Sequence, residues 1–273
     1  MQENPLGKKS EYKNKYDPSL LFCIKREINR KIIGIDKISF TGYDVWNCYE
    51  FSFLNKNGLP QNYILKTIYS SNSKNIVESK SLKLYLGSFN MTNFENIEEV
   101  ISIIKIDLKK VLEVEDIIIL YYESNYKFKY SVLNQRYLID NQNIKIEKYN
   151  LNSSLLEIEN KNQSKKIIRI SNLLKTNCPI TNQPDWATLY IEYNSKKIIK
   201  DQSLLKYIIS FREHKDYHES CCEKIMFDII NITNPEYLIV KCFFTRRGGI
   251  DINPCRFYNI LPDNNYDFHY WRQ

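Results

Sequence analysis

Glycine, histidine and methionine are scarce in this 273-residue chain, at seven, three and three residues. None of the glycines falls in a G-x-G-x-x-G or a G-x-x-x-x-G-K-[ST] pattern, which excludes a nucleotide cradled by a Rossmann or P-loop turn. There is no C-x-x-C pair, and the histidines are His214, His218 and His269. The four-residue spacing of His214 and His218 would put two ligands on one helical face, with Cys221 and Cys222 close by. No glutamate follows His214, however, so no metal is expected. No stretch approaches the roughly 20 apolar residues of a membrane span. No apolar core follows the opening Met1-Gln2-Glu3-Asn4-Pro5-Leu6-Gly7-Lys8-Lys9, so no secretory leader is read there. Seven cysteines without framework spacing point to reduced thiols and a cytoplasmic setting.

What is present is a globular composition: 43% hydrophobic and 14% aromatic residues, with 21 tyrosines. At 32.7 kDa the chain is long enough for one large domain or two ordinary ones. A net charge of +7 fits an anionic ligand such as a nucleotide, or weak RNA contact. The heavy use of Ile, Asn, Lys and Tyr weakens any argument from a single lysine.

One stretch stands apart, Thr176-Asn177-Cys178-Pro179-Ile180-Thr181-Asn182-Gln183-Pro184-Asp185-Trp186. It carries two prolines between a hydrophobic approach, Ile167 to Leu174, and an alternating segment, Ala187 to Tyr193, that reads as a strand. A loop braced in this way is a rigid mount for chemistry. Cys178 is a nucleophile if it ionises, and Asp185, seven residues on, is an acid able to supply the proton the attacked group needs. A buried structural cysteine with an Asx-turn aspartate is the bland alternative.

Along the chain, residues 1–35 read as an extended arm. Strands are expected within Phe40 to Tyr69, around a turn at Asn55-Lys56-Asn57-Gly58, and at Ile117 to Tyr122 and Phe128 to Leu133. Helices are expected at Glu78 to Phe89 and Asn96 to Leu112. The polar segment Asn141 to Lys166 reads as a connector, dividing the chain at about 150/151 into two modules, 1–150 and 151–273. Beyond it come the cysteine loop, strand Ala187 to Tyr193, a turn near Asn194-Ser195, helices Gln202 to Phe211 and Glu219 to Ile232, and strand Tyr237 to Phe244. The order strands, helix, helix, strand occurs twice. Setting Ser88-Phe89 on Ser210-Phe211, an offset of 210 − 88 = 122, also sets Ser81, Leu82 and Tyr85 on Ser203, Leu204 and Tyr207. Two copies of one unit are therefore read. Their polar groups differ, and neither copy is complete, which favours one composite site over two.

Glu78-Ser79-Lys80-Ser81-Leu82-Lys83 opens a helix, where backbone N–H groups attract anions and Ser79, Lys80 and Lys83 can add contacts to phosphates. A carboxylate there can instead accept hydrogen bonds from a purine-like edge. His218-Glu219 opens another helix and offers a second such carboxylate. Arg246-Arg247-Gly248-Gly249, directly after a strand, joins guanidinium forks to a turn's backbone N–H groups, which suits a nucleotide phosphate. Capped or solvated helix starts and a plain hairpin turn are the bland alternatives. Cys221 and Cys222 are read as helix packing.

Together these motifs resemble the QueF family of NADPH-dependent nitrile reductases, in its tandem two-module form. The resemblance rests on Glu78-Ser79-Lys80-Ser81-Leu82-Lys83-Leu84-Tyr85, on Asn177 to Trp186, on Ser210-Phe211-Arg212 with His218-Glu219, and on Thr245 to Pro254. Asn4-Pro5-Leu6-Gly7-Lys8 and Tyr16-Asp17-Pro18-Ser19-Leu20-Leu21 also match the family's start. The resemblance implies an α+β fold of tandem tunnelling-fold (T-fold) modules, with antiparallel sheets and helices packed on one face. It implies a homodimer acting on 7-cyano-7-deazaguanine in queuosine biosynthesis, a tRNA-modification pathway, with no membrane and no direct nucleic-acid partner. Cys178 would form a covalent thioimide and Asp185 would supply protons. Val77, Glu78, Ser79, His218 and Glu219 would hold the substrate, and Ser79, Lys80, Arg247 and Gly248 the NADPH. A GTP cyclohydrolase-like purine or pterin enzyme is the runner-up, weakened by the thin set of zinc ligands. A non-catalytic nucleotide- or RNA-binding module is another, and leaves the Cys178 loop without a purpose.

Overall fold

In the computed structural model, which describes residues 12–132, 134–270 and 272–273, the chain divides into two compact units. The first draws on Met1–Asn29, Asp44–Phe128 and Arg246–Asp251, the second on Arg30–Tyr43, Lys129–Thr245 and Ile252–Gln273. The Asn4-Pro5-Leu6-Gly7-Lys8 motif lies outside the described residues.

The first unit opens with a single 3-10 turn at Pro18–Leu20, capped by the Asp17 side chain. Strand β1 (Cys23–Lys25) follows, then helix α1 (Arg26–Ile32), whose first four residues belong to this unit, so the segment read as an extended arm contains a helix. Strands β2 (Thr41–Asn55) and β3 (Pro60–Ser70) flank the expected turn, where Asn55 Oδ1 accepts the N–H groups of Asn57 and Leu59 at 3.0 Å each and Gly58 takes φ +79°. Asx capping and a left-handed glycine close such hairpins at little steric cost. Strand β4 (Asn75–Val77) pairs antiparallel with β1 and leads into helix α2 (Ser79–Gly87).

After the short strand β5 (Asn93–Phe94), helix α3 (Ile97–Leu112) starts on Asn96, whose side chain accepts Glu99 N–H at 2.9 Å. It ends on Glu113 in the left-handed conformation, φ 49°. Strand β6 (Ile117–Glu123) completes the sheet in the order β6-β3-β2, antiparallel to β3. The core is aromatic: Phe51 and Phe53 of β2 meet Phe89 and Phe94, and Val100, Ile104 and Leu108 of α3 are buried too. Truncating a ring such as Phe89, fully buried, would cost about 3–5 kcal/mol.

In the second unit, strands β7 (Ile158–Asn177), β8 (Pro184–Ile199), β9 (Tyr237–Phe244) and the greater part of β10 (Ile250–Tyr258) lie in the order β10-β9-β8-β7, all antiparallel. Ala187, Leu189, Ile191 and Tyr193 alternate along β8, and Leu238, Val240, Cys242 and Phe244 along β9. Both rows are buried in one cluster with Leu204, Tyr207 and Ile208 of helix α4 (Asp201–Ser210) and Cys222, Ile225, Met226 and Ile229 of helix α5 (His218–Thr233). Period-2 and period-3.6 faces thus meet in a single core. Sheets with packed helices in both units make the fold α+β.

All four long helices lie within two residues of their expected bounds, but three readings need correction. Residues 158–166, read as connector, are strand: they pair with β8, Ile158 opposite Ile199 and Lys166 opposite Asn194, across a bulge. The turn expected at Asn194-Ser195 is absent, because β8 continues to Ile199 along the same partner. Residues 128–132 are not strand, and Phe128 instead packs its ring on Tyr49, Tyr122 and Tyr126.

Candidate active site

The second unit holds four of the expected site residues, and their placement follows from the β7–β8 hairpin. The ladder pairs Thr176 with Asp185 and Asn177 with Pro184, so Cys178 is the first residue beyond it. Pro184 costs nothing at a strand's first position, where no ladder donor is required of it. The loop between is tight: Cys178 N–H donates to Gln183 O at 2.9 Å and Asn182 N–H donates back to Cys178 O at 3.1 Å. Asn182 takes φ +57°, a conformation asparagine tolerates better than most residues. Continuing the register by one step sets Cys178 opposite Gln183, which makes Asp185 its diagonal neighbour on the same face. Both are buried, at 4% and 6% exposed.

Asn177 ties this hairpin to the segment ahead of α5. Its backbone N–H donates to His214 O at 2.9 Å, its side chain donates to Arg212 O at 2.9 Å, and its carbonyl accepts from Asp216 N at 3.2 Å. Lys175 adds bonds to Asn177 Oδ1 at 2.6 Å and Arg212 O at 2.7 Å. Burial, followed by the nearby Arg212, pushes the Lys175 ammonium below its usual value. These clamps set the start of α5 against the loop. His218, its first residue, lays its ring on Phe244 with centroids 3.9 Å apart and brings Nε2 to 3.5 Å from Asp185 Oδ2. Glu219, next in the helix, is 3% exposed. The family resemblance implies a substrate contact for His218; what the structure shows is that it lies against Asp185. Sequence reasoning missed Asn177, whose role depends on a contact partner 35 residues away and leaves no local signal.

Cys221 and Cys222 are fully buried in the core, as read. Burial above all, then the Asp216 carboxylate, holds the Cys221 thiol far above its usual range. Burial does the same for Cys48, Cys242 and Cys255. These are neutral packing thiols.

The remaining six residues lie in the first unit. Val77, 3% exposed, ends β4 opposite Cys23. Glu78, 1% exposed, caps α2: its carboxylate accepts Lys80 N–H at 2.9 Å, Ser81 N–H at 2.8 Å and the Ser79 hydroxyl at 3.2 Å. A carboxylate has about four acceptor positions, so roughly one remains, and a second opens if Ser79 turns away. The helix-cap alternative is thus realised, without exhausting the group's capacity.

Arg247 and Gly248 are distant from α2 in sequence, but the Arg246–Gly249 turn lies beside it. A side chain added at Gly248 (φ +61°) would meet Lys83 Nζ at 3.1 Å, and one at Gly249 (φ +81°) would meet Glu50 at 2.6 Å. Lys83, on the helix that Ser79 and Lys80 open, therefore reaches a two-glycine turn carrying two arginines. That donor set, with a bare-backbone face, fits the phosphates of a dinucleotide. Among the described residues, no group of three or more His, Cys, Asp or Glu could hold a metal ion, and no helix is long and apolar enough to cross a membrane.

Two family models match the chain. Residues 12–119 match the nitrile reductase, 7-cyano-7-deazaguanine-reductase N-terminal model, and residues 184–260 match the QueF-like protein model. A solved structure of the archaeosine synthase QueF-Like in the apo form is similar over 37% of this chain and 97% of its own, at 17% identity and a TM-score of 0.32. The two models span well over half of the sequence, one in each half, and the chain belongs to the QueF family.

Proposed function

We propose that this member of the QueF family reduces the nitrile of 7-cyano-7-deazaguanine to the 7-aminomethyl amine in queuosine biosynthesis. In this reading Cys178 is the nucleophile and Asp185 the proton donor. The observation that supports it best is the hairpin, where a buried cysteine directly follows the ladder that holds a buried aspartate, and His218 Nε2 lies 3.5 Å from that aspartate.

A nitrile is a poor hydride acceptor. Addition of the Cys178 thiolate forms a carbon–sulfur bond and opens one carbon–nitrogen π bond. The nitrogen takes a proton from Asp185, giving a thioimide with no change in electron count. Two NADPH, bound in turn, would each supply one hydride, the first to the thioimide carbon and the second to the imine released when the carbon–sulfur bond breaks and the Cys178 thiolate leaves. The second reduction needs one further proton at nitrogen, again from Asp185, with His218 at hand to re-supply it. Two hydrides and two protons account for the four-electron change.

Val77, Glu78, Ser79, His218 and Glu219 hold the deazaguanine in this proposal, with the two carboxylates accepting from its amino and ring N–H groups. A base lacking those donors would leave buried acceptors unmet and be rejected. Ser79 and Lys80, with Arg247 and Gly248, hold NADPH. The modules 1–150 and 151–273, the homodimer and the cytoplasmic setting belong to the same proposal.

Purified protein supplied with NADPH and 7-cyano-7-deazaguanine tests it. Two NADPH should be consumed per nitrile, turnover should vanish in Cys178→Ala, and an adduct should form on Cys178 when NADPH is withheld. No turnover together with no substrate-dependent adduct by mass spectrometry would sink the proposal.

A further inference from the structure

The Arg246–Gly249 turn contains two consecutive glycines at positive φ, a sequence that does little to fix its own shape. Strand β2 fixes it instead. Tyr49 N–H donates to Gly249 O at 2.9 Å, and the Tyr49 ring lies against the Arg246 guanidinium, whose central carbon is 3.4 Å from the ring centroid. The ring itself is anchored. Its hydroxyl donates to Asp251 Oδ2 at 2.6 Å, and the other oxygen of Asp251 accepts Asn47 Nδ2 at 2.7 Å. Asn47 and Asp251 are each 1% exposed, so this is a buried network with an aromatic plate at its outer end. Burial and the Asp251 charge push the Tyr49 hydroxyl well above its ordinary value, which keeps it protonated as a donor. Phe128 meets the ring edge-on, with centroids 6.0 Å apart.

We infer that Tyr49 is a positioning residue for the cofactor: its ring, anchored through Asp251 and Asn47, sets the plane of Arg246 and with it the turn that presents Arg247 and Gly248 to an NADPH phosphate. The inference rests on the NADPH reading above and adds a residue to it that no motif contains. A guanidinium stacked on a ring has one face covered while its N–H donors stay in plane, where phosphate oxygens can reach them. It also has less rotamer freedom left to lose when the phosphate arrives, so the anchored ring strengthens binding without touching the ligand. Asp251, two residues beyond the turn in sequence, makes the anchor part of the same hairpin.

The test compares Tyr49→Leu, which removes the plate, with Tyr49→Phe, which keeps the ring and loses the hydroxyl anchor. Three readouts are taken on the full chain: NADPH binding by fluorescence titration, KM and kcat for NADPH, and the rate of adduct formation on Cys178 by mass spectrometry without NADPH. Tyr49→Leu is expected to weaken NADPH binding about two- to thirtyfold, the range a cation–π contact covers. That loss should fall on KM more than on kcat, with adduct formation unchanged. Tyr49→Phe should recover most of the binding. Equal NADPH binding by the unsubstituted protein and Tyr49→Leu overturns the inference alone. Loss of adduct formation in step with NADPH binding makes Tyr49 a folding residue and also overturns it. Failure of the unsubstituted protein to bind NADPH overturns the cofactor reading and the inference together.

Discussion

The starts of α2 and α4 are built alike and equipped differently. In the first unit Ser81 Oγ donates to Glu78 O at 2.7 Å and accepts Phe22 N–H at 3.0 Å; in the second, Ser203 Oγ donates to Lys200 O at 2.8 Å and accepts Glu157 N–H at 3.1 Å. One helical length on, Ser88 and Ser210 each donate to a tyrosine carbonyl at 2.6 Å and accept a backbone N–H at 3.2 Å, from Asp17 and Asn152. Tyr85 donates to Asp107 at 2.6 Å and Tyr207 to Asp228 at 2.7 Å. Even the single 3-10 turns correspond, Pro18–Leu20 capped by Asp17 and Ser153–Leu155 capped by Asn152.

Against this shared frame, the helix cap has diverged. Glu78 is buried and binds two N–H groups of α2, whereas Lys200 makes no side-chain cap and pairs with Glu157 at 2.8 Å on the surface. The second unit shows that the serine hooks suffice to start such a helix. A buried carboxylate at the same place in the first unit therefore exceeds what folding requires, which is the argument for assigning it to ligand recognition.

Breaking the comparison at its point of difference should have the largest effect. Glu78→Gln keeps the side chain's shape and one acceptor, so the melting temperature should shift by a few degrees at most. In the proposed reaction kcat/KM should still fall at least about a hundredfold, since a site left with mismatched buried hydrogen-bonding groups discriminates that strongly. Unchanged kinetics would return Glu78 to the role of a plain cap.

The shared frame should respond equally on both sides. Ser88→Ala and Ser210→Ala each take the acceptor from one part-buried backbone N–H, Asp17 and Asn152, at a cost of about 1 kcal/mol apiece, measured as urea midpoints. A large inequality would mean that the two hooks are alike in geometry alone. Tyr85→Phe and Tyr207→Phe remove one hydrogen bond each to a carboxylate, with about 1–2 kcal/mol expected in either unit. The smallest effect belongs to Lys200→Ala, an exposed pair member, which should leave both the urea midpoint and turnover unmoved. A fall in turnover there would show that the second helix start also has a ligand.

Much of this frame was legible beforehand. The offset of 122 found five identities, and Ser81, Ser88 and Tyr85, with their counterparts, prove to be the hooks and the tyrosine bond. The matching 3-10 turns escaped because Asp17 and Asn152 stand at a different offset, 152 − 17 = 135, so one alignment cannot register both segments. Residues 158–166 were misread for a related reason. As part of a sheet-edge strand they are paired on one side only and exposed along much of their length, so their polarity resembles that of a linker.

By itself the sequence determined the family, the four long helices and a tight turn after Cys178, whereas Asp185 proves to stand in β8 opposite Thr176. Amphipathic period, capping residues and proline placement act within a few residues of chain and can be read there. Only the tertiary structure decided that the Arg246–Gly249 turn lies beside Lys83 and Tyr49, that Asn177 clamps the segment ahead of α5, and that His218 reaches Asp185. Those contacts join residues tens to hundreds of positions apart, through strand pairing and core packing. The free energy that selects them belongs to the assembled core and to no local stretch of sequence.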